Sequence, residues 1–127
     1  MKLTTDIKPP IPFHHLNLDD GWEQAPGAAH GIQQKMLSGE LDEENEVGVR
    51  TRLIRFPRGQ IAPDQFVHAY WEEVYLIEGV LITGCDANGQ GGESFTAPCF
   101  ACRPPGTYHG PFTSPGGCVF FEIQYYA

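Results

Sequence analysis

The sequence predicts an all-β domain, a barrel built from many short strands. Gly and Pro account for 15 and 11 of the 127 residues, and they separate short apolar runs along most of the chain. The clearest of these runs are rich in β-branched and aromatic residues, which favour strands. No long segment places its apolar residues with the helical period. The length leaves room for one domain with a single core.

The first half of the chain divides into an arm, a turn and strands. Residues 1–30 are expected to form an irregular arm that packs on the barrel or on a neighbouring subunit, because four prolines interrupt any regular element there. A first strand pair is expected from Gly31 to Leu41, and the acidic run 42–46 is typical of a solvated turn. Residues 47–56 are predicted as one strand with two faces. One face carries Val49, Thr51 and Leu53, and the other carries Arg50, Arg52 and Ile54.

Two later stretches give the strongest strand signals. Residues 74–82 form an apolar run interrupted only by Glu78-Gly79, and residues 118–126 are dense in aromatic and β-branched side chains. On the last strand Phe120, Glu122 and Gln124 share one face, but the alternation alone leaves open which face looks into the barrel. The predicted organisation is therefore an arm over 1–30 and a barrel over 31–127.

Charge and composition exclude several classes of partner. The formal net charge is −8, and no basic stripe is present, so binding to nucleic acid is not expected. No apolar run reaches the roughly 20 residues that span a bilayer, and the N-terminus lacks the apolar core of a signal peptide. A cytoplasmic location is expected. The four cysteines are then expected as free thiols: Cys85, Cys99, Cys102 and Cys118.

A histidine and a carboxylate stand four residues apart before the first strong strand. If the chain turns tightly after His68, Glu72 returns on the adjacent antiparallel strand, and both side chains can point into one cavity. Imidazole and carboxylate are ligands that several divalent metals accept. This pair is therefore half of a candidate metal site.

A second histidine follows a rigid corner. His109 comes three residues after Pro104-Pro105-Gly106. A side chain fixed just beyond such a turn loses little freedom when it binds a ligand. We therefore expect His109 to complete the candidate site.

The two segments resemble the two conserved motifs of the cupin superfamily. The six residues between Glu72 and Gly79 match the spacing of the first motif, and residues 104–109 match the Pro-x-Gly-x-x-His pattern of the second. Residues 103–106 and 109–112 also resemble the branch that contains the cupin part of a zinc-binding anti-sigma factor and the acetylacetone-cleaving dioxygenases. The motifs span residues 59–113. The resemblance implies a small single-domain cupin, whose fold is a double-stranded β-helix or jelly-roll barrel.

The sequence departs from the family pattern in both motifs. Phe66 occupies the position of the usual first histidine, and the spacing from Gly59 to His68 is one residue longer than usual. In the second motif, Pro98 replaces the opening Gly and Thr113 replaces the closing Asn. One usual metal ligand is therefore missing.

The resemblance implies a mononuclear metal bound by His68, Glu72 and His109. Two histidines and one carboxylate form the ligand set associated with non-haem Fe(II), so Fe(II) is favoured, with Mn, Ni or Zn as alternatives. Asp64 or Gln65 is a possible fourth ligand if the insertion bulges inward. Glu73 replaces Glu72 if the register differs by one residue.

Several side chains are candidates to line a substrate pocket next to this site: Phe66, Tyr70, Tyr108, Phe112, Glu122 and Gln124. The aromatic members could equally plug the barrel. Two other groups have two readings each. Cys99-x-x-Cys102 is half a metal or redox motif, although core thiols are the simpler interpretation. Arg50, Arg52 and Arg55 could recognise a carboxylate substrate, although surface salt bridges with the acidic run are the more ordinary explanation.

Two functional hypotheses follow. The first is a metal-dependent enzyme, foremost a dioxygenase, that acts on a small, partly apolar, oxygen-bearing substrate. The second is a metal-free or zinc-holding barrel that binds or senses a small molecule without catalysis, which Phe66 favours. The fold alone does not separate them, because one fold hosts many chemistries. Barrels of this size often pair through an edge strand and an arm, so a homodimer is expected.

Overall fold

The computed structural model describes residues 8–127, and within this range the chain forms nine strands and no helix. The strands are β1 Glu23–Gln24, β2 Gln33–Asp42, β3 Val47–Phe56, β4 Gln60–Ala62, β5 Trp71–Thr83, β6 Glu93–Thr96, β7 Cys99–Arg103, β8 Phe112–Ser114 and β9 Cys118–Tyr125. The prediction of an all-β fold is confirmed. Among these residues there is also no helix long and apolar enough to cross a membrane.

All strand pairs are antiparallel, and the sheet curls around one interior. The order of the main path is β1-β2-β3-β9-β5-β8-β4, with β6 and β7 also paired to β5. The long strand β5 belongs to both halves of the curl. Its first part pairs with β9 and β7, and its last part pairs with β6 and β8.

The bend in β5 depends on Gly79. The register between β5 and β9 shifts between Leu76 and Glu78, and Gly79 follows with a φ of 87°. A Cβ atom at this position would lie 2.3 Å from the backbone oxygen of Gly117, so only glycine fits. The residues that interrupt the apolar run in the sequence thus let one strand serve both halves of the barrel.

The strand boundaries predicted from the sequence agree best with the structure where turn-forming residues flank the strand. The strand predicted over residues 47–56 has those bounds in β3, and the acidic run forms the turn before it, where Asp42 accepts a hydrogen bond from the backbone N–H of Asn45 at 3.0 Å. The strand pair expected from Gly31 to Leu41 is wrong. One strand, β2, covers this segment because its partner is β3, on the far side of the acidic turn.

The predicted arm is described from residue 8 onward, and residues 1–7 lie outside the described range. The described part carries β1, which pairs with β2, and it contacts β3 at several points. Lys8 donates to the hydroxyl of Thr51, and the indole of Trp22 lies 4.3 Å from the guanidinium carbon of Arg55. The arm therefore contacts the outer face of the β2–β3 hairpin through Lys8 and Trp22, while its later residues 25–29 line the cavity and Ala25 joins the core.

The interior is layered along the strands. At one end the inward side chains are apolar and buried, among them Ile54, Phe56, Leu76 and Phe120. Toward the other end they become polar while remaining buried, and Glu122 and Gln124 are 5% and 1% exposed. This settles the orientation of β9: its Glu122 face looks into the barrel. The apolar end holds the fold together, and the polar end is available for chemistry.

Candidate metal centre and pocket

Three elements bring the candidate ligands together. Glu72 is the second residue of β5 and is 3% exposed, while His68 lies in the segment just before that strand. His109 lies in the loop between β7 and β8. Two backbone hydrogen bonds join Phe66 and His109, at 2.7 and 2.9 Å, and the N–H of Gly106 donates to the carbonyl of His68 at 2.9 Å. The two motif loops are therefore fastened to each other, which fixes the spacing of the histidines.

The three side chains converge at what we call the histidine end of the pocket, defined as His68, Glu72 and His109. One ligand atom from each lies within 4.8 Å of the others. The carboxylate oxygen Oε1 of Glu72 is 3.7 Å from Nε2 of His109, and the two imidazole centroids are 4.9 Å apart. Both rings have an aromatic neighbour. His68 stacks on Tyr70 with centroids 4.5 Å apart, and the centroid of His109 lies 6.0 Å from that of Phe112.

The hydrogen bond on the far side of His109 determines its protonation. Nδ1 lies 3.3 Å from the carbonyl oxygen of Thr107, which can only accept, so Nδ1 carries the proton. Nε2 of the neutral ring is then an acceptor. It faces the carboxylate of Glu72 across 3.7 Å, so two acceptors point toward a shared space. A cation between them would satisfy both.

The electrostatics keep both imidazoles neutral. Burial lowers the pKa of His68 below its ordinary value, and the charge of Glu72 only partly offsets this. Burial also lowers the pKa of His109, assisted by the charge of Arg103. Neutral imidazole is the form that binds metal.

Glu72 is held from two sides. Arg103 donates to its Oε1 at 2.6 Å, and the side-chain amide of Gln124 donates to its Oε2 at 2.6 Å. Burial raises the pKa of this carboxyl, but the hydrogen bond from Gln124 and the charge of Arg103 outweigh burial, and the net pKa is lowered. Glu72 is therefore a carboxylate at neutral pH.

These three residues fit a divalent ion, although Arg103 competes with such an ion for the carboxylate of Glu72. Two ligands each about 2.1 Å from a metal are at most about 4.2 Å apart, so a small contraction brings the set into range. Each carboxylate oxygen has two lone pairs, so Oε1 can accept from Arg103 and still bind a cation. Arg103, however, brings a positive charge to the same oxygen. It orients Glu72 and at the same time competes for it.

The alternative ligands considered from the sequence are not brought to this place. Asp64 and Gln65 are exposed, and neither joins the group of converging ligand atoms. Glu73 points to the outer face of the sheet, where it accepts a hydrogen bond from the hydroxyl of Tyr125 at 2.9 Å. The register of β5 therefore selects Glu72.

The histidine end opens into a cavity of about 290 Å³. Five of the six side chains predicted to line a pocket do line this cavity: Phe66, Tyr70, Phe112, Glu122 and Gln124. Tyr108 lies elsewhere: it is 67% exposed and borders a neighbouring cavity. Phe66, which stands where the family pattern has a histidine, has its ring centroid 6.1 Å from that of His109 and 6.3 Å from that of His68.

A second region of the cavity carries two arginines, and we call Arg50, Arg52, Glu122 and Gln124 the arginine end. Arg50 donates from Nε to the side-chain oxygen of Gln124 at 2.9 Å, and Arg52 forms a salt bridge with Glu122 at 2.7 Å. The expected surface salt bridges with the acidic run are therefore wrong. Within residues 8–127 neither arginine forms a salt bridge with residues 42–46, because both side chains point inward. Arg55 points outward and bonds to Gln33.

Strand register explains why these two ends share one cavity. Arg50, Gln124, Glu72 and Arg103 are cross-strand partners in one continuous row over β3, β9, β5 and β7. Partners in antiparallel strands point to the same side. Alternation along the strands predicts that Arg50 shares a face with Arg52 and Glu122 with Gln124. It does not give the register between strands, so neither this pairing nor the role of Arg103 follows from the sequence.

Glu122 has the largest shift among the carboxyls. Burial and the negative charge of Glu72 raise its pKa to about 7, although the salt bridge to Arg52 opposes them. It can therefore hold or release a proton near neutral pH. No motif points to this behaviour, which depends on the 5% exposure of the side chain.

The four cysteines are free thiols, as expected, and the Cys99-x-x-Cys102 pair does not form a site. The two side chains lie on opposite faces of β7. Cys102 is exposed, so the prediction of a core thiol is wrong at that position.

Comparison with known proteins gives structural matches only. No protein-family model matches the sequence, and neither does any curated protein. An RmlC-like cupin from Shewanella frigidimarina matches with a TM-score of 0.63 and 20% identity, over 91% of this chain and 93% of that one. An acetylacetone dioxygenase from Acinetobacter johnsonii matches with a TM-score of 0.65 and 19% identity, over 98% and 80%.

A third match comes from the complex of SigE with the anti-sigma ChrR of Rhodobacter sphaeroides, with a TM-score of 0.60 and 20% identity over 85% of this chain and 50% of that one. At these identities the likeness concerns the backbone. Combined with the curled antiparallel sheet and its inward-facing polar end, it shows that this chain has the cupin fold.

Proposed function

We propose that the protein is a metal-dependent enzyme, foremost a dioxygenase, acting on a small, partly apolar, oxygen-bearing substrate. The observation that carries the proposal is the space between Glu72 Oε1 and His109 Nε2, two acceptors 3.7 Å apart with His68 beside them. Two imidazoles and one carboxylate suit Fe(II), and they also suit Mn, Ni or Zn. The likeness to an acetylacetone dioxygenase supports the reaction class.

A divalent ion held there would supply Lewis-acid chemistry and, as Fe(II), the activation of O2. The protein's own residues orient and shield the substrate. Phe66 and Phe112 give the cavity apolar walls, and Tyr70 is a buried phenol beside His68. Burial and the charge of Glu72 raise the pKa of Tyr70, so its hydroxyl stays protonated and can donate to a substrate oxygen. Glu122 can hold a proton at the other end.

The test is metal content followed by oxygen uptake. Protein prepared without chelators should bind one ion of Fe, Mn, Ni or Zn per chain, and His109→Ala should bind none. The control is His30→Ala, a change at an exposed histidine outside the cavity. The iron-loaded wild type should then consume O2 with a β-diketone or a catechol. Failure to take up any of the four metals would end the proposal.

A second function is favoured by two specific observations. Arg103 already neutralises Glu72, and Phe66 stands in place of a third histidine. Both suit a metal-free or zinc-holding barrel that binds a small molecule without transforming it. Oxygen uptake in the experiment above would contradict this alternative, and ligand binding without turnover would support it.

We also propose that the protein is a cytoplasmic homodimer. On the outer face of the sheet, Phe100 and Tyr75 are cross-strand partners and are 62% and 46% exposed, with Ile77 close by at 44%. The arm of the same chain exposes Phe13 fully. A second copy of the chain would cover both apolar surfaces in one symmetric contact. Sedimentation of the wild type against Phe100→Glu should show a dimer and a monomer respectively.

A further inference from the structure

We propose that the arginine end of the cavity binds a carboxylate group of the substrate, with Arg50 as its principal ligand and Arg52 as its second. The substrate class is then a small carboxylate that carries another oxygen-bearing group. This inference rests on the proposed function in one respect only: it takes the cavity as the place where the substrate binds.

Three arginines and three glutamates line the cavity, but in the described part of the chain Glu43 forms no salt bridge there, and its charge acts on Arg50 only from beyond salt-bridge distance. Arg52 and Arg103 each have a carboxylate partner, Glu122 and Glu72. Arg50 has none, because its fork rests on the neutral amide of Gln124, and within residues 8–127 no carboxylate lies at salt-bridge distance from it. Both imidazoles are neutral. A buried cation without a counter-ion is costly, and an anionic ligand would remove that cost.

The two guanidinium groups keep donors free for such a ligand. Within the described residues, Arg50 bonds to Gln124 through Nε and Nη2, while Arg52 bonds to Glu122 through Nε and to Gln34 through Nη1. A guanidinium has five N–H groups, so Nη1 of Arg50 and Nη2 of Arg52 have no partner among these contacts. Planar forks of this kind match the two oxygens of a carboxylate.

The arginines are also held rather than mobile. Each extends from β3 and is bonded to β9, and Arg52 is also bonded to Gln34 on β2. Side chains held in this way lose little freedom on binding. Burial and the neighbouring charge of Arg52 lower the pKa of Arg50, and the charges of Glu122 and Glu43 only partly offset this.

The separation of the two ends sets the shape of the ligand. The backbones of Arg50 and Glu72 are two strands apart, but both side chains bond to the amide of Gln124: Arg50 donates to its oxygen, and its NH2 group donates to Glu72. The two charged groups therefore lie close together. The cavity of about 290 Å³ has Val74, Phe112 and Phe120 on its walls. It suits a compact molecule with its carboxylate at Arg50 and a second oxygen function, a short distance from that carboxylate, facing the histidines.

The experiment compares carboxylates with matched neutral amides on protein stripped of metal by a chelator. The probes are 4-oxopentanoate against 4-oxopentanamide and benzoate against benzamide, titrated at millimolar concentrations and followed by calorimetry and by the NMR signals of the arginine Nε–H groups. Each wild-type carboxylate should bind at least about tenfold more tightly than its amide, as charge-assisted hydrogen bonds predict.

Three variants locate the preference. Arg50→Gln should remove it, and Arg50→Lys should retain part of it, because the charge stays and the fork is lost. Arg58→Gln, a change at an exposed arginine outside the cavity, should leave it intact. Circular dichroism spectra that superpose on the wild type show that a variant is folded. If Arg50→Gln is unfolded, the test uses two other measurements: the carboxylate preference of Arg50→Lys, and the change in the arginine Nε–H signals of the wild type when a carboxylate binds.

Two outcomes would overturn the inference. In the first, the wild type shows no preference for either carboxylate over its amide, or binds neither. In the second, a folded Arg50 variant keeps the full preference of the wild type. Since the measurement is made without metal, it is independent of metal uptake. Protein that takes up no metal but prefers carboxylates would refute the enzyme and keep the anion site. Protein that takes up metal but shows no carboxylate preference would refute the anion site and keep the proposed metal site.

Discussion

The two ends of the cavity are built from the same kinds of group but arranged for opposite partners. At the histidine end one carboxylate and two neutral imidazoles present lone pairs toward a common point, with Arg103 as the single cation. At the arginine end Arg52 has a salt-bridge partner, Glu122, whose pKa is raised to about 7, while Arg50 is bonded to an uncharged amide. One end therefore attracts a cation and the other an anion. Both ends contain arginine and glutamate, so the difference in the ion attracted depends on which of these side chains already has a hydrogen-bonded partner.

The two ends also differ in how they are positioned. His68 and His109 lie in loops that are hydrogen-bonded to each other, whereas Arg50 and Arg52 lie on a regular strand and are placed by its register. Because the two loops are bonded to each other, a change in either loop should disturb both histidines. A change of register in β3 would move every inward side chain of that strand to the outer face.

The largest effect is expected at the residue that both ends contact. Glu72→Ala removes a proposed metal ligand and leaves Arg103 without its partner, while Gln124 loses the acceptor that links the two ends. We expect metal affinity to fall by at least about 100-fold, more than the loss of an outer hydrogen-bonding partner. Unfolding free energy should fall by about 3 to 5 kcal/mol, as for a broken buried ion pair.

Metal titration and urea unfolding measure these effects, and Glu73→Ala is the matched control. Glu73 is the next residue in β5 but lies on the outer face, so its removal should leave metal binding unchanged and cost less than about 1 kcal/mol. Equal losses in the two variants would contradict the assignment of Glu72 to the site.

The next effect concerns pH at the arginine end. The folded-state pKa of Glu122, about 7, lies above its ordinary value of 4.5, so the folded protein keeps a proton that the unfolded chain releases. This contribution to stability is present at low pH and is lost as the pH rises from about 4.5 to 7. Between about pH 5 and pH 8 the wild type should therefore lose roughly 2 to 3 kcal/mol that Glu122→Gln does not lose.

Urea titrations of both proteins across this range provide the measurement, and Glu44→Gln, on the exposed acidic turn, is the control. The control should follow the wild type at every pH. A Glu122→Gln variant with the same pH dependence as the wild type would show that Arg52 keeps Glu122 ionised throughout.

The smallest effect is a gain of function at the histidine end. Phe66→His places a third imidazole beside the first two, at the position where the cupin pattern has one. Affinity for Fe(II) or Zn(II) should rise about tenfold, equivalent to about 1.4 kcal/mol. Val67→His is the control, because Val67 is 45% exposed and alternates to the other side of the chain. Equal gains in both variants would mean that the added histidine acts outside the site.

The sequence predicted the histidine end more completely than the arginine end for a physical reason. His68, Glu72 and His109 stand at fixed spacings from turns that proline and glycine make rigid, so local chemistry was enough to place them. The strand over residues 47–56 was also predicted with its bounds. The roles of Arg50 and Arg103 depend on the order β3-β9-β5-β7, which joins residues up to 74 positions apart, and no local pattern encodes that order.

The position of β9 has a consequence for how the protein is made. This strand lies between β3 and β5, yet it follows both of them in the chain. Until β9 leaves the ribosome, both neighbours present unpaired backbone groups and uncovered apolar side chains, which is the condition under which nascent β proteins aggregate. Assembly of the barrel therefore follows translation of β9 and closes contacts that are distant in sequence, a topology for which slow folding is expected.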